Sequence, residues 1–105
     1  LFRILLNVLR NAGEALAEKG GTISVSAMRD GNATHIDIAD NGTGIPEKIR
    51  ERLFQPFAGT TRAGGSGLGL AIARDLARAH GGDVTLMKSD ATGTQFRVTI
   101  PDREE

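Results

Sequence analysis

Apolar and polar positions alternate along this chain with two distinct periods. Over residues 1 to 19, Leu1, Leu5, Val8, Leu9, Ala12, Ala15 and Leu16 fall on one broad face at about 100° per residue, the helical period. Arg3, Asn7, Arg10, Asn11 and Glu14 form a narrow stripe opposite, and Gly20-Gly21 ends the helix. The period then changes to two. Ile23, Val25 and Ala27 alternate with Thr22, Ser24 and Ser26. Ile36 and Ile38 alternate with His35 and Asp37, and an Asp30-Gly31-Asn32 turn lies between the two runs. Such a pair predicts a β-hairpin over Thr22–Arg29 and Ala33–Asp40. Pro46 suits a first helical turn, and Ile49 and Leu53 continue a short helix to about Phe54. A further helix is expected over 67 to 80 through Leu68, Ala71, Ile72, Leu76 and Ala79, stopped by Gly81-Gly82. Val84 and Leu86, then Phe96, Val98 and Ile100, predict a second hairpin that turns at Gly93.

Each strand is apolar on one face only. Thr22, Ser24, His35, Asp37, Thr85, Gln95, Arg97 and Thr99 make up the other face. A sheet covered on both sides would carry continuous apolar runs instead. The expected fold is therefore α+β: a two-layer α/β sandwich with a mixed, mainly antiparallel sheet and three helices on one face. One domain over 1–101 is expected, with a charged tail at 102–105 and a loop over 55–66. The apolar pattern is already running at Leu1 with no cap ahead of it, so an N-terminally truncated fragment is expected.

Charge narrows the class. Thirteen basic and thirteen acidic residues cancel, whereas nucleic-acid and membrane-surface binders need a basic excess. With no cysteine, disulfides and thiolate zinc sites are excluded. No apolar run approaches the roughly 20 residues that span a bilayer, and a cytoplasmic location is the expectation. Glycine is in excess at 14 of 105 residues, and Gly42, Gly44, Gly59, Gly64, Gly65, Gly67 and Gly69 crowd one stretch. Such a cluster marks either a backbone that must turn sharply or approach a ligand, or a flexible surface loop.

Three groups of residues carry candidate chemistry. Asp40 shares the parity of Ile36 and Ile38, so it points toward the helix-covered face, where a carboxylate needs donors. With Asn41-Gly42-Thr43-Gly44 following, it can accept from an exocyclic amine such as that of adenine; equally, it can simply start a turn. Asn7 and Asn11, four apart, project from one helical face, although asparagine is a poor helix-interior residue. Amide oxygens are hard ligands that suit magnesium when a polyphosphate supplies the charge; a solvated stripe is the alternative. Gly64-Gly65-Ser66-Gly67-Leu68-Gly69-Leu70 opens a helix, where backbone amides favour phosphate. No Lys-Ser or Lys-Thr follows, so this is not a Walker A loop.

Taken together, Asn7-x-x-x-Asn11-Ala12, DNGTGIP at 40 to 46, Phe54-Gln55-Pro56-Phe57, GGSGLGL at 64 to 70 and Gly93-Thr94 resemble the ATP-binding catalytic domain of bacterial two-component sensor histidine kinases, in the GHKL superfamily. These segments look like its N box, first glycine box, F box, second glycine box and Gly-Thr motif, in the family's order. The resemblance implies ATP and Mg²⁺ as cofactors. It implies that Asp40 binds the adenine amine, that Asn11 holds magnesium and that Asn7 assists at the phosphates. Gly42, Gly44 and Ile45 would shape the base pocket, with Thr94 near the base. Residues 55–66 would form the ATP lid, including Phe57, Thr61 and Arg62. Gly65, Gly67, Leu68 and Gly69 would form its hinge and phosphate cradle. Some relatives carry a basic residue where Glu14 stands here; Arg62 would compensate, its fork suiting phosphate. Asn7 occupies the position at which gyrase-, chaperone- and mismatch-repair-type relatives carry a water-activating glutamate. An amide is no general base at neutral pH, so phosphotransfer is expected rather than hydrolysis. A GHKL-type ATPase, or a degenerate kinase acting as a nucleotide- or partner-binding module, is the alternative. The implied partners are a separate histidine-bearing dimerisation domain and, through the parent kinase, a response regulator. Neither His35 nor His80 matches the family's phosphoacceptor.

Overall fold

The computed structural model describes residues 2–16, 20–42, 44–45, 47–51, 54–55 and 69–101. Helix α1 spans Phe2–Ala15, strands β1 and β2 span Ile23–Asp30 and Ala33–Asp40, and a single helical turn, α2, spans Glu47–Arg50. Helix α3 covers Gly69–Ala79, and β3 (Asp83–Asp90) and β4 (Gly93–Pro101) close the order. The four strands form one sheet in the order β1-β2-β4-β3. Every pairing among them is antiparallel, so the sheet is not mixed as expected. Both hairpins are tight, and β4 rather than β3 docks on β2. The connection carrying α3 therefore crosses over β4.

Turn chemistry fixes the hairpin registers. Asp30 pairs with Ala33, leaving a two-residue loop whose Gly31 has φ 60°, the sign that primed hairpin turns require. In the second hairpin Asp90 pairs with Gly93, so the loop is Ala91-Thr92 and Gly93 opens β4 instead of making the turn. Asp90 closes that loop by accepting from the Thr92 N–H at 2.8 Å. Helix α3 ends in a Schellman motif. The Gly82 N–H reaches the Ala77 carbonyl at 2.9 Å and the Gly81 N–H reaches that of Arg78 at 3.0 Å, with Gly81 at φ 84°.

The core lies between the sheet and the two helices α1 and α3. Ile4, Val8 and Ala12 from α1 meet Ile36 and Ile38 from β2, Leu70, Ala73 and Ala77 from α3, Val84 from β3, and Phe96 and Val98 from β4. Three features depart from the periodicity reading. Ile4, absent from the predicted apolar face, is only 1% exposed. The buried face of α3 is Leu70, Ala73 and Ala77, rotated from the predicted one, and Ala79 is exposed. The small Ala73 and Ala77 side chains let α3 lie close against its neighbours. The two helices pack over β2, β4 and β3, so edge strand β1 is left largely uncovered and Val25 is 56% exposed. The third helix of the expected layer reduces, among the described residues, to the four-residue turn α2.

The opposite face of the sheet is polar, as its alternation predicts. Arg97 holds Asp37 in a two-pronged pair, Nε to Oδ1 at 2.8 Å and Nη2 to Oδ2 at 3.1 Å. That hydrogen bond, aided by the charges of Arg97 and His35 against a burial penalty, lowers the Asp37 pKa. His35 Nδ1 lies 3.0 Å from Thr99 Oγ1 on the same face. At the far edge Arg74 and Arg78 of α3 bond the Asp83 carboxylate at the start of β3. Burial works to raise the Asp83 pKa, but bonds from Arg74, the Val84 N–H and Arg78 together hold it below the ordinary value. Among the described residues, no helix is long and apolar enough to cross a membrane.

Candidate functional site

Asp40 ends β2 on the helix-covered face, as parity requires. Ile36, Ile38 and Asp40 are all buried, at 8%, 1% and 9% exposure. A carboxylate in such company must find donors, and the chain provides one locally: the Gly42 N–H donates to Asp40 Oδ1 at 2.9 Å. This Asx-type turn steers the backbone out of the sheet and leaves the carboxylate further acceptor capacity. Asn41, next along, closes the neighbouring edge by accepting from the Thr22 N–H at 2.8 Å.

Across the β2–β4 ladder Asp40 faces Thr94, which is 4% exposed. Beside this pair β4 begins at Gly93, with φ 144°. A Cβ there would collide with the Asp40 carbonyl oxygen, so only glycine lets β4 run this close to the acid. Gly44, at φ 88°, makes an equally close approach: a Cβ on it would run into the Asp90 carbonyl. The loop after β2 is thus pressed against the end of β3. Ile45 secures it, its side chain joining the core and its N–H donating to Ser89 Oγ at 2.7 Å. Ser89 Oγ in turn lies 3.0 Å from Thr94 Oγ1.

Asn7 and Asn11 are half-buried on α1, at the boundary of the core rather than on an open stripe. Arg3 and Arg10, on the same polar side, are exposed. The Asn7 backbone sits at the start of α3, its carbonyl oxygen 3.8 Å from where a Cβ on Gly69 would stand. Asn7 Nδ2 is buried without a hydrogen-bond partner among the described residues, an unusual state for a buried amide.

Phe54 is a packing residue. Its ring meets that of Phe96 edge-on, with centroids 6.3 Å apart, and the Arg74 guanidinium lies 4.0 Å above it. A cleft of about 380 Å³ lined by Arg50, Glu51, Phe54, Gln55, Arg74, Asp75 and Arg78 opens nearby. It contains none of the asparagine, aspartate, glycine or threonine residues singled out for nucleotide, and its wall is charged.

Of the residues chosen from the sequence, Asp40, Gly42, Gly44, Ile45 and Thr94 converge around the end of β2, while Asn7 and Gly69 meet where α1 approaches α3. Asn11 lies one helical turn beyond Asn7. Phe57, Thr61, Arg62, Gly65, Gly67 and Leu68 lie outside the described residues, as does the Glu14 side chain. His35 belongs to the polar sheet face, opposite Asp40, and His80 is exposed after α3. Ser89 was missed. Simple alternation from Val84 and Leu86 puts it on the polar face, but a bulge between Leu86 and Lys88 changes its side. Among the described residues no cluster of three His, Asp or Glu could hold a metal unaided.

A two-layer sandwich with a buried acid and a glycine-bearing loop at the end of its second strand defines an architecture that known proteins share. The chain belongs to the family described as histidine kinase-, DNA gyrase B-, and HSP90-like ATPase, which it matches over residues 1–104. It is 43% identical to the nitrogen regulation protein NtrY of Azorhizobium caulinodans over 91% of its length, covering 13% of that protein. It is 37% identical to the sensor histidine kinase WalK of Bacillus subtilis over 98% of its length, covering 18% of that protein. Among solved structures it superposes on the mycobacterial sensor histidine kinase MprB with a TM-score of 0.80 at 31% identity, covering 98% of this chain and 72% of that one. It also superposes on full-length ShkA in complex with AMPPNP, with a TM-score of 0.74 at 35% identity, covering 94% of this chain and 20% of that one. The chain thus spans less than a fifth of the length of these two curated relatives.

Proposed function

We propose that this domain binds Mg²⁺-ATP and presents the γ-phosphate for transfer to a histidine on a separate dimerisation domain, as part of a two-component sensor kinase that serves a response regulator. The observation that carries this reading is Asp40: a buried carboxylate, tethered on one oxygen by the Gly42 N–H and paired across the ladder with Thr94. It offers a charged acceptor to the exocyclic amine of adenine. Gly93 and Gly44 let β4 and the loop after β2 close tightly around this strand end, where a Cβ on either would strike a backbone carbonyl.

The phosphate end is supported by the asparagine pair of α1, Asn7 and Asn11. Asn7 Nδ2, buried and without a partner among the described residues, is a donor suited to an acceptor such as a phosphate oxygen, and it belongs to a helix that meets the start of α3. Helix N-termini favour anions. Asn11, one turn on, would hold magnesium through its amide oxygen, with Asn7 assisting. The metal would neutralise charge on the phosphates, and placement would supply most of the remaining rate. Arg62, Thr61, Phe57, Gly65, Gly67, Leu68 and Gly69 would complete the lid and cradle. Asn7 cannot take a proton from water at neutral pH, and this favours transfer over hydrolysis. The domain would act in the cytoplasm.

Calorimetric titration with Mg²⁺-ADP, and with a non-hydrolysable ATP analogue, tests the binding step. Saturable heat is expected, and a flat trace removes the nucleotide reading. Joining the domain to a histidine-bearing dimerisation helix pair and following radiolabel from ATP onto histidine tests the transfer. A water-activating ATPase would instead show slow magnesium-dependent turnover by the domain alone.

A further inference from the structure

Outside the residues already assigned, Ser89 has an unusual set of partners. Its hydroxyl oxygen accepts from the Ile45 N–H at 2.7 Å and lies 3.0 Å from Thr94 Oγ1. Its backbone carbonyl accepts from Arg50 Nη1 at 3.2 Å. One residue of β3 therefore binds the loop after β2, the turn α2 beyond it, and the threonine opposite Asp40.

This arrangement depends on the β-bulge. Val84 pairs with Val98 and Leu86 with Phe96, so both face the core. Strict alternation would then turn Lys88 inward and Ser89 outward. Instead Lys88 pairs with Gln95, a polar-face residue, and Ser89 pairs with Thr94. Met87 is the extra residue and is 47% exposed. Bulges characteristically re-aim a side chain beside functional sites, and here the side chain re-aimed is a hydroxyl.

Hydroxyl stoichiometry fixes the consequence. A serine hydroxyl has one proton and two acceptor sites, and the Ile45 N–H occupies one of the latter. If Ser89 donates to Thr94, the Thr94 proton is left free to point at the ligand edge. If Thr94 donates, its lone pairs face that edge instead. Either way the Thr94 hydroxyl is held, and the loop that follows Asp40 is tied to β3 through the Ile45 N–H.

We propose that Ser89 is a positioning residue for base recognition, acting through Thr94 and the 42–45 loop to set the selectivity of the site for adenine. This inference rests on the nucleotide reading above. The test is calorimetry on the wild-type chain, Ser89→Ala and Ser89→Thr, each with ADP and with IDP, whose base replaces the amine with a carbonyl. Ser89→Ala is expected to weaken ADP about 3- to 10-fold, the range for one lost hydrogen bond, and to leave IDP nearly unchanged, so that selectivity falls. Ser89→Thr, which keeps the hydroxyl, restores it. Equal weakening of both nucleotides, or a lowered melting temperature with selectivity intact, means a purely structural role and overturns the inference. Unchanged ADP binding in a folded Ser89→Ala overturns it while leaving the nucleotide reading in place. If the wild-type chain binds neither nucleotide, both fail together. Should Ser89→Ala not fold, Ser89→Cys, a weaker hydrogen-bonding group of similar shape, takes its place with the same expected loss of selectivity.

Discussion

Asp40→Asn is the sharpest perturbation of the proposed site, because it changes one atom and leaves the shape intact. Asp40 Oδ1 accepts from the Gly42 N–H at 2.9 Å. An asparagine keeps that bond only by placing its amide oxygen there, so its NH₂ group turns toward the ligand. A charged acceptor is then replaced by a donor facing a donor. Loss of a hydrogen bond to a charged group is worth about 1.5 to 3 kcal/mol, or about 10- to 150-fold in dissociation constant. The domain should remain folded, since the side chain keeps its volume and its local bond. For IDP the sign reverses: its carbonyl accepts from the new NH₂, so the variant should prefer IDP to ADP. Isothermal titration with both nucleotides, beside a thermal melt, measures the effect. An ADP dissociation constant equal to that of the wild type, in a variant that melts normally, would refute the assignment of Asp40 to the base.

Other perturbations bear on the fold and the metal. Gly93→Ala should destabilise by about 1 to 3 kcal/mol or more, because φ 144° and the Asp40 carbonyl both oppose a Cβ; an unchanged melting temperature would contradict this. Ile4→Val removes one methyl from a residue 1% exposed and should cost about 0.5 to 1.5 kcal/mol, read by urea unfolding. The lowered pKa of Asp37 means that its ionised form stabilises the fold above the ordinary carboxylate pKa, with the contribution lost as pH falls through the lower, folded value. Arg97→Ala should therefore flatten the acid limb of the stability profile below about pH 4, and an unaltered limb would show the pair to be inert. Asn11→Ala should weaken nucleotide binding with magnesium present and change little in EDTA; equal effects in both would remove Asn11 from the metal.

Much of this protein is local and therefore legible in one dimension. Period two in β2 determines that Asp40 faces inward with Ile36 and Ile38, because alternation over three consecutive pairs needs nothing from the rest of the chain. The hairpin at Gly31 and the helix stop at Gly81 follow from single residues whose backbone must enter positive φ. The ordered string of asparagine, aspartate and glycine segments likewise points to its family before any fold is known.

What tertiary structure decided concerns contacts between distant segments. Which side of α3 is buried depends on where α1 lies, and both sides of that helix carry enough apolar residues to serve. The order β1-β2-β4-β3 is a choice of partner for β2 that no strand records by itself. The bulge at Met87 arises from fitting β3 to β4, and that one inserted residue moves Ser89 to the face of Asp40. Hydrophobic periodicity encodes the direction of a side chain only while the ladder stays regular. Where the ladder slips, direction is set by the neighbouring strand.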